Sequence, residues 1–148
     1  MSILILFHGL TIMHKGILYL IPSPISDTPV SDVIPARNLE IIRSLSIFIV
    51  EEIRTARRFL IKAGMPSVDD ITFIIFNEHS NDADFEECLK QLETGSPVGL
   101  LSEAGLPCVA DPGSKIVFHA HSSGIRVVPL SGPSSIFLSL MASGFNGQ

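Results

Sequence analysis

Four short stretches of this chain gather residue types that do chemistry. Glu51, Glu52 and Arg54 form one, and Asn77 with Glu78 a second. Ser102, Glu103, Ala104 and Gly105, continuing through Pro107 to Asp111, Pro112 and Gly113, form a third. Ser131, Gly132, Pro133, Ser134 and Ser135 form the fourth. The first two stretches supply carboxylates and a guanidinium, which can accept a proton, orient a hydroxyl or pair with each other. The last two supply small residues that let a ligand lie against the backbone, and prolines that stiffen the turn. A fifth stretch, Pro22, Ser23, Pro24, Ile25 and Ser26, is marked by what it lacks. A phosphate cradle needs glycines that present backbone N–H groups, and the two prolines there have none. Dinucleotide or nucleoside-triphosphate binding through this turn is therefore not expected.

Each of these groups also has a structural use. Glu51 and Glu52 beside a helix start would complement its dipole, and Asp111, Ser134 and Ser135 could cap helices. For Asp111, with Pro112 in the first helical turn after it, capping is the expected role. For Ser102, Glu103, Ala104 and Gly105 it is ligand contact. Arg54, Arg58 and Lys62 recur every four residues, with Arg57 adjacent. That makes a basic stripe on one helix, either a guide for a phosphate backbone or a solvated face. His8, His14, His79, His119 and His121 are scattered, and Cys88 and Cys108 lie apart without ligand spacing. No metal site and no disulfide framework is expected. Phe73, Phe76, Phe85, Phe118 and Phe137 read as core.

Positioning these groups requires an alternation of strands and helices. Apolar runs at 17–21, 47–50, 71–76, 98–101 and 125–130 predict strands. Helical periodicity predicts helices over 35–45, 52–63, 82–94, 112–122 and 133–143. Such alternation predicts an α/β fold, a five-stranded, mainly parallel sheet with helices on both faces. Ligands of such sheets lie beyond the carboxyl ends of the strands, which is where all five stretches fall. The composition agrees. Of 148 residues 46% are hydrophobic and 17% charged, too apolar for a disordered chain and suited to strands buried on both faces. A net charge of −5 provides no global basic field for nucleic acid. The apolar part of residues 1–12 is too short to span a bilayer and lacks the flanks of a signal peptide. Residues 1–15 are read as an extension with Met13 as the natural start, and the expected location is cytoplasmic.

In order and spacing, from about Gly16 to Phe145, these stretches resemble the 16S ribosomal RNA ribose 2′-O-methyltransferases of the tetrapyrrole (precorrin and uroporphyrinogen) methylase superfamily. Residues 19–26 are similar to that family's LYxxPTPIGN opening, and residues 51–54 stand where it has EDTR. Asn77-Glu78 matches its NE pair, residues 102–107 and 111–113 resemble SDAGTPxxSDPG, and residues 131–135 resemble PGPSA. The resemblance implies an S-adenosyl-L-methionine-dependent methyltransferase, dimeric, with the cofactor in a crevice between two domains. It implies cofactor contacts from Ser102, Glu103, Ala104, Gly105, Pro133, Ser134 and Ser135. It also implies a substrate-side wall from Pro22, Ser23, Pro24, Ile25 and Ser26. Glu52, Arg54 and Glu78, on the same rim, are the candidates for shaping acceptor binding. Ser23, the Ser26-Asp27 pair, Ile53 and Glu103 depart from the pattern, and the departures in the first loop and the EDTR segment bear on the ribosomal RNA acceptor. Residues 16–145 match the superfamily's N-terminal domain, and a C-terminal domain is expected beyond Gln148.

Other classes of this fold need residues that this chain lacks at the matching places. A phospho-receiver needs acidic groups after the first strand, an aspartate after the third and a lysine after the fifth. Pro22-Ser23, Asn77-Glu78 and Ser131-Gly132 stand there. A flavodoxin-like site needs a Ser/Thr/Gly phosphate loop where Pro22 and Pro24 sit. A non-catalytic domain that dimerises or binds ligand weakly is the remaining alternative.

Overall fold

The computed structural model describes residues 15–109 and 111–148; all of the expected extension but Lys15, and with it the Met13 start, lies outside them. The apolar runs form five strands, β1 (Ile17–Ile21), β2 (Ile47–Val50), β3 (Thr72–Ile75), β4 (Val98–Leu101) and β5 (Arg126–Pro129). All neighbours pair in parallel in the order β3-β2-β4-β1-β5. Among the described residues five helices connect them, α1 (Val30–Val33), α2 (Ala36–Ser44), α3 (Ile53–Lys62), α4 (Asp82–Glu93) and α5 (Ser114–Ser122), and α6 (Ser135–Ser143) follows β5.

Alternation along each strand splits the core into two layers. Ile21, Phe48, Val50 and Leu101 pack against Val30, Ile34, Ile42 and Leu60 from the α1, α2 and α3 side. Leu18, Ile49, Ile74 and Leu100 pack against Cys88, Leu92, Ile116 and Ala120 from the α4 and α5 side. The chain thus leaves β1 towards one face and β4 towards the other. Those two strands are neighbours, so the topological switch point lies between them.

Helix ends follow their local chemistry. Asn81 accepts from the Ala83 and Asp84 N–H groups at 2.8 and 3.2 Å, and the Asp84 carboxylate accepts from the Asn81 N–H at 2.9 Å. This reciprocal box starts α4. Asn81→Ala is expected to lower stability by about 1 kcal/mol, read as a lower urea midpoint with an unchanged slope. Gly64 and Gly95 follow α3 and α4 at φ 83° and 86°, a conformation that suits glycine.

Four expectations are corrected. The proline-rich first loop contains a short helix, α1, whose Val30 is buried. Helix α5 begins at Ser114 with Gly113 as its cap, so Pro112 precedes the helix. Asp111 caps nothing; its carboxylate accepts from the Gly113 N–H at 2.8 Å, closing a local turn. Phe118 and Phe137 are 75% and 61% exposed and are not core. Phe118 lies two residues from both buried positions of α5, Ile116 and Ala120, so the helical repeat turns it outward. Phe137 sits on α6, which buries none of its residues. Phe76 is buried, while Phe73 and Phe85 pack against the two layers.

Candidate functional site

At the switch point the β1 and β4 loops are stitched together. The Ser23 N–H donates to the Gly105 carbonyl at 2.9 Å, and the Gly105 N–H donates back to the Ser23 carbonyl at 3.0 Å. Ser23 Oγ donates to the Ser102 carbonyl at 2.6 Å, and Ser102 Oγ donates to the Gly105 carbonyl at 2.8 Å. Both serines are buried, so their single donors are committed to backbone and only lone pairs remain for a ligand. The β5 loop joins the same knot. Asn38 Nδ2 on α2 donates to the Ser131 carbonyl at 2.7 Å. A Cβ on Gly132 would lie 2.3 Å from Pro22 Cγ, and one on Gly105 would lie 3.7 Å from the Pro133 carbonyl oxygen. Three strand-end loops therefore form one stiff rim.

Beside this rim, on the α3 face, opens a cavity of ≈ 290 Å³. Its walls combine Ser23, Pro24 and Ser26 of the first loop, Glu51 and Glu52 beyond β2, Ser102 and Glu103 beyond β4, and Thr55, Arg58 and Lys62 of α3. Of the predicted site residues, Ser23, Pro24, Ser26, Glu52, Ser102 and Glu103 meet there. Pro22 is buried behind them, and Ile25 packs towards Gly105. Ala104, Gly105, Pro133, Ser134 and Ser135 lie along the rim outside the cavity, and Ser134 Oγ accepts from the Phe137 N–H at 3.4 Å as the α6 cap. Arg54 is exposed on the first turn of α3, and Glu78 is exposed beside His79 at 3.4 Å; neither lines the cavity. Asp27, Thr28, Thr55 and Phe59 also line it, and none of them is among the expected site residues. The four-residue spacing of Arg58 and Lys62 was visible, but not that it faces a cavity.

Charge is unevenly placed. Glu52 caps α3, accepting from the Arg54 N–H at 2.7 Å and from the Thr55 N–H and hydroxyl at 2.6 Å each. The Thr55 hydroxyl and those N–H groups hold its carboxyl below the usual range. Its placement serves the helix start. Partial burial, then the charge of Asp111, pushes Glu51 up. Partial burial, then Glu52, pushes Glu103 up, with Arg58 opposing.

A carboxyl raised in the fold binds its proton more readily folded than unfolded. Its ionisation at neutral pH therefore opposes folding, and stability returns as pH falls through the raised value. Glu51→Gln is expected to raise the melting temperature at neutral pH. Thermal scans across pH should show the gain shrinking as the ordinary value of 4.5 is approached.

Among the described residues no group of three or more His, Cys, Asp or Glu side chains could hold a metal ion, and no helix is long and apolar enough to cross a membrane. Burial pushes the Cys88 thiol up to about 12 and the Cys108 thiol up to about 11, so neither offers a thiolate nucleophile at neutral pH.

The rim and cavity define an α/β domain with a cavity beside its switch point. No protein-family model matches the chain. The chain is similar to proteins named ribosomal RNA small subunit methyltransferase I. It is 31% identical to that of Leptospira biflexa serovar Patoc over 132 residues, 89% of this chain and 52% of the relative. It is 32% identical to that of Escherichia coli O157:H7 over 130 residues, 88% of this chain and 43% of the relative. It is 35% identical to that of Mesorhizobium japonicum over 127 residues, 86% of this chain and 41% of the relative. The chain spans about half the length of the curated relatives it matches.

Proposed function

We propose that this chain supplies the sheet domain of an S-adenosyl-L-methionine-dependent methyltransferase acting on a ribose hydroxyl of small-subunit ribosomal RNA. The observation that supports this most is the stitched rim of the β1, β4 and β5 loops with one cavity beside it. Residues from three of the five candidate motifs meet there. The printed name of the relatives supports the RNA-directed methyl transfer.

The residues present fit the cofactor. Gly105 is buried at φ 73°, with its N–H and carbonyl committed to Ser23 and Ser102, so it holds the β4 loop in place beside the shelf. Ala104 is exposed next to it, and Pro133 and Ser134 continue the shelf. Glu103 lines the cavity beside this shelf, and Pro22 and Pro24 withhold the N–H groups that a pyrophosphate would need. When bound, the cofactor supplies a methyl group already activated on sulfonium. The chain's own task is then to position an acceptor and exclude water, which suits a stiff rim more than a flexible loop. Glu52, Arg54 and Glu78 remain the proposed acceptor-shaping residues, with Glu52 acting through the start of α3. The remainder of the cofactor crevice is proposed to come from a second domain. A homodimer in the cytoplasm completes the reading, and sedimentation of the intact protein tests the dimer.

Calorimetric titration of the intact protein with S-adenosylhomocysteine is expected to show one site per subunit. Labelled methyl from the cofactor is expected to enter small-subunit RNA at a ribose hydroxyl. Absence of both would sink the reading. Ligand binding without methyl transfer would favour the non-catalytic alternative.

A further inference from the structure

The cavity has a polarity that the reading above does not use. Glu51 and Glu103 stand at the end nearest the strand termini, beside the α3 cap. Arg58 and Lys62 follow along the helix, about 9 and 15 Å beyond Glu52 at the ordinary rise per residue. Lys62 is paired with Asp27 at 3.0 Å. Arg58 has only a 3.5 Å contact with Thr55 Oγ1, and among the described residues no carboxylate lies within ion-pair distance of it. Phe59 and Leu101 add apolar wall. At ≈ 290 Å³ the space suits one small unit, near the lower end of ordinary ligand sites.

We infer that this cavity takes a single ribonucleotide unit of an RNA strand, its phosphodiester on Arg58 and its sugar hydroxyls on Glu103 and Glu51. The inference rests on the RNA-directed reading and deepens it by naming the contact residues. A guanidinium fork matches phosphate oxygens bidentately. Carboxylates accept from hydroxyls and repel phosphate, so the two ends sort the two halves of a nucleotide. The 2′-hydroxyl is the group that distinguishes RNA from DNA at such a contact. The Arg58 charge opposes the rise in the Glu103 carboxyl, as expected of two groups lining one cavity.

The test is fluorescence anisotropy of the intact protein with a labelled single-stranded oligoribonucleotide and its all-2′-deoxy counterpart, over a range of salt. The wild-type protein is expected to prefer the ribo strand. Arg58→Ala should weaken binding about tenfold and reduce the salt slope by about one. Glu103→Ala should lower the preference for ribo over deoxy strands, leaving the salt slope unchanged. Arg37→Ala, a charge removed from the exposed Arg37–Glu40 pair on α2, should change neither. Arg58 is exposed, and circular dichroism would verify that its variants fold. Equal affinity and slope for wild type and Arg58→Ala, or an undiminished ribo preference in Glu103→Ala, would overturn the inference while leaving the methyltransferase reading intact. Failure of the wild-type protein to bind RNA would overturn both. Calorimetry with S-adenosylhomocysteine on the same sample then reports separately on the cofactor shelf.

Discussion

Phe48→Ala is expected to remove about 3–5 kcal/mol of stability, a large share of what a domain of this size has. Phe48 is fully buried in β2, and its ring lies against the glycine of the neighbouring strand. A Cβ on Gly99 would sit 2.9 Å from Phe48 Cδ1, 2.6 Å from Ile21 Cδ1 and 3.1 Å from Leu45 Cδ1. Gly99→Ala alone therefore overpacks the layer and is expected to cost about 1–3 kcal/mol. In the double variant the new methyl enters space that the ring vacates. Its loss should fall short of the sum of the two single losses by about 1 kcal/mol or more. Urea unfolding of the four proteins measures this directly, and strict additivity would show that the two positions do not share one packing space.

Gly132→Ala is expected to be as damaging near the site. The added methyl would meet Pro22 Cγ at 2.3 Å and Cβ at 2.4 Å. A fully buried proline ring has little freedom to move aside. The loss is expected at the upper part of the overpacking range, about 3 kcal/mol. It also separates the β5 loop from the β1 loop, so affinity for S-adenosylhomocysteine should fall at least about tenfold, equivalent to 1.4 kcal/mol. Pro22→Gly in the same chain removes both of those carbons and should restore part of both. A Gly132→Ala protein with wild-type stability and ligand affinity would refute the stiff-rim account.

Much of the architecture was legible because its signals are local. The strands at 17–21, 47–50 and 98–101 coincide with unbroken apolar runs, and the expected helix over 82–94 differs from α4 by one residue because Asn81, Asp84 and Gly95 mark its ends. Helix α1 was hidden by Pro29 and Pro35, which read as loop although a single turn fits between them. Phe118 was misplaced because apolar character was weighed without its phase relative to Ile116 and Ala120. The site was half legible. The loops after the strands were the right places, but the Ser23–Ser102 hydrogen bond joins residues 79 apart and has no local signature. The stripe of Arg54, Arg58 and Lys62 could equally have faced open solvent. Only the fold shows that Arg58 and Lys62 face the first loop while Arg54 lies outside.

The strand order has a consequence for how this protein comes off the ribosome. β1 emerges first, yet both its neighbours, β4 and β5, are made last. Until then its edges have no native partner, while β2 and β3 can already pair. Contacts so distant along the chain slow folding and prolong exposure of an aggregation-prone edge. The nascent chain should therefore depend on a holding chaperone until residue 129 has cleared the exit tunnel, and a circular permutant that begins at β4 should depend on it less.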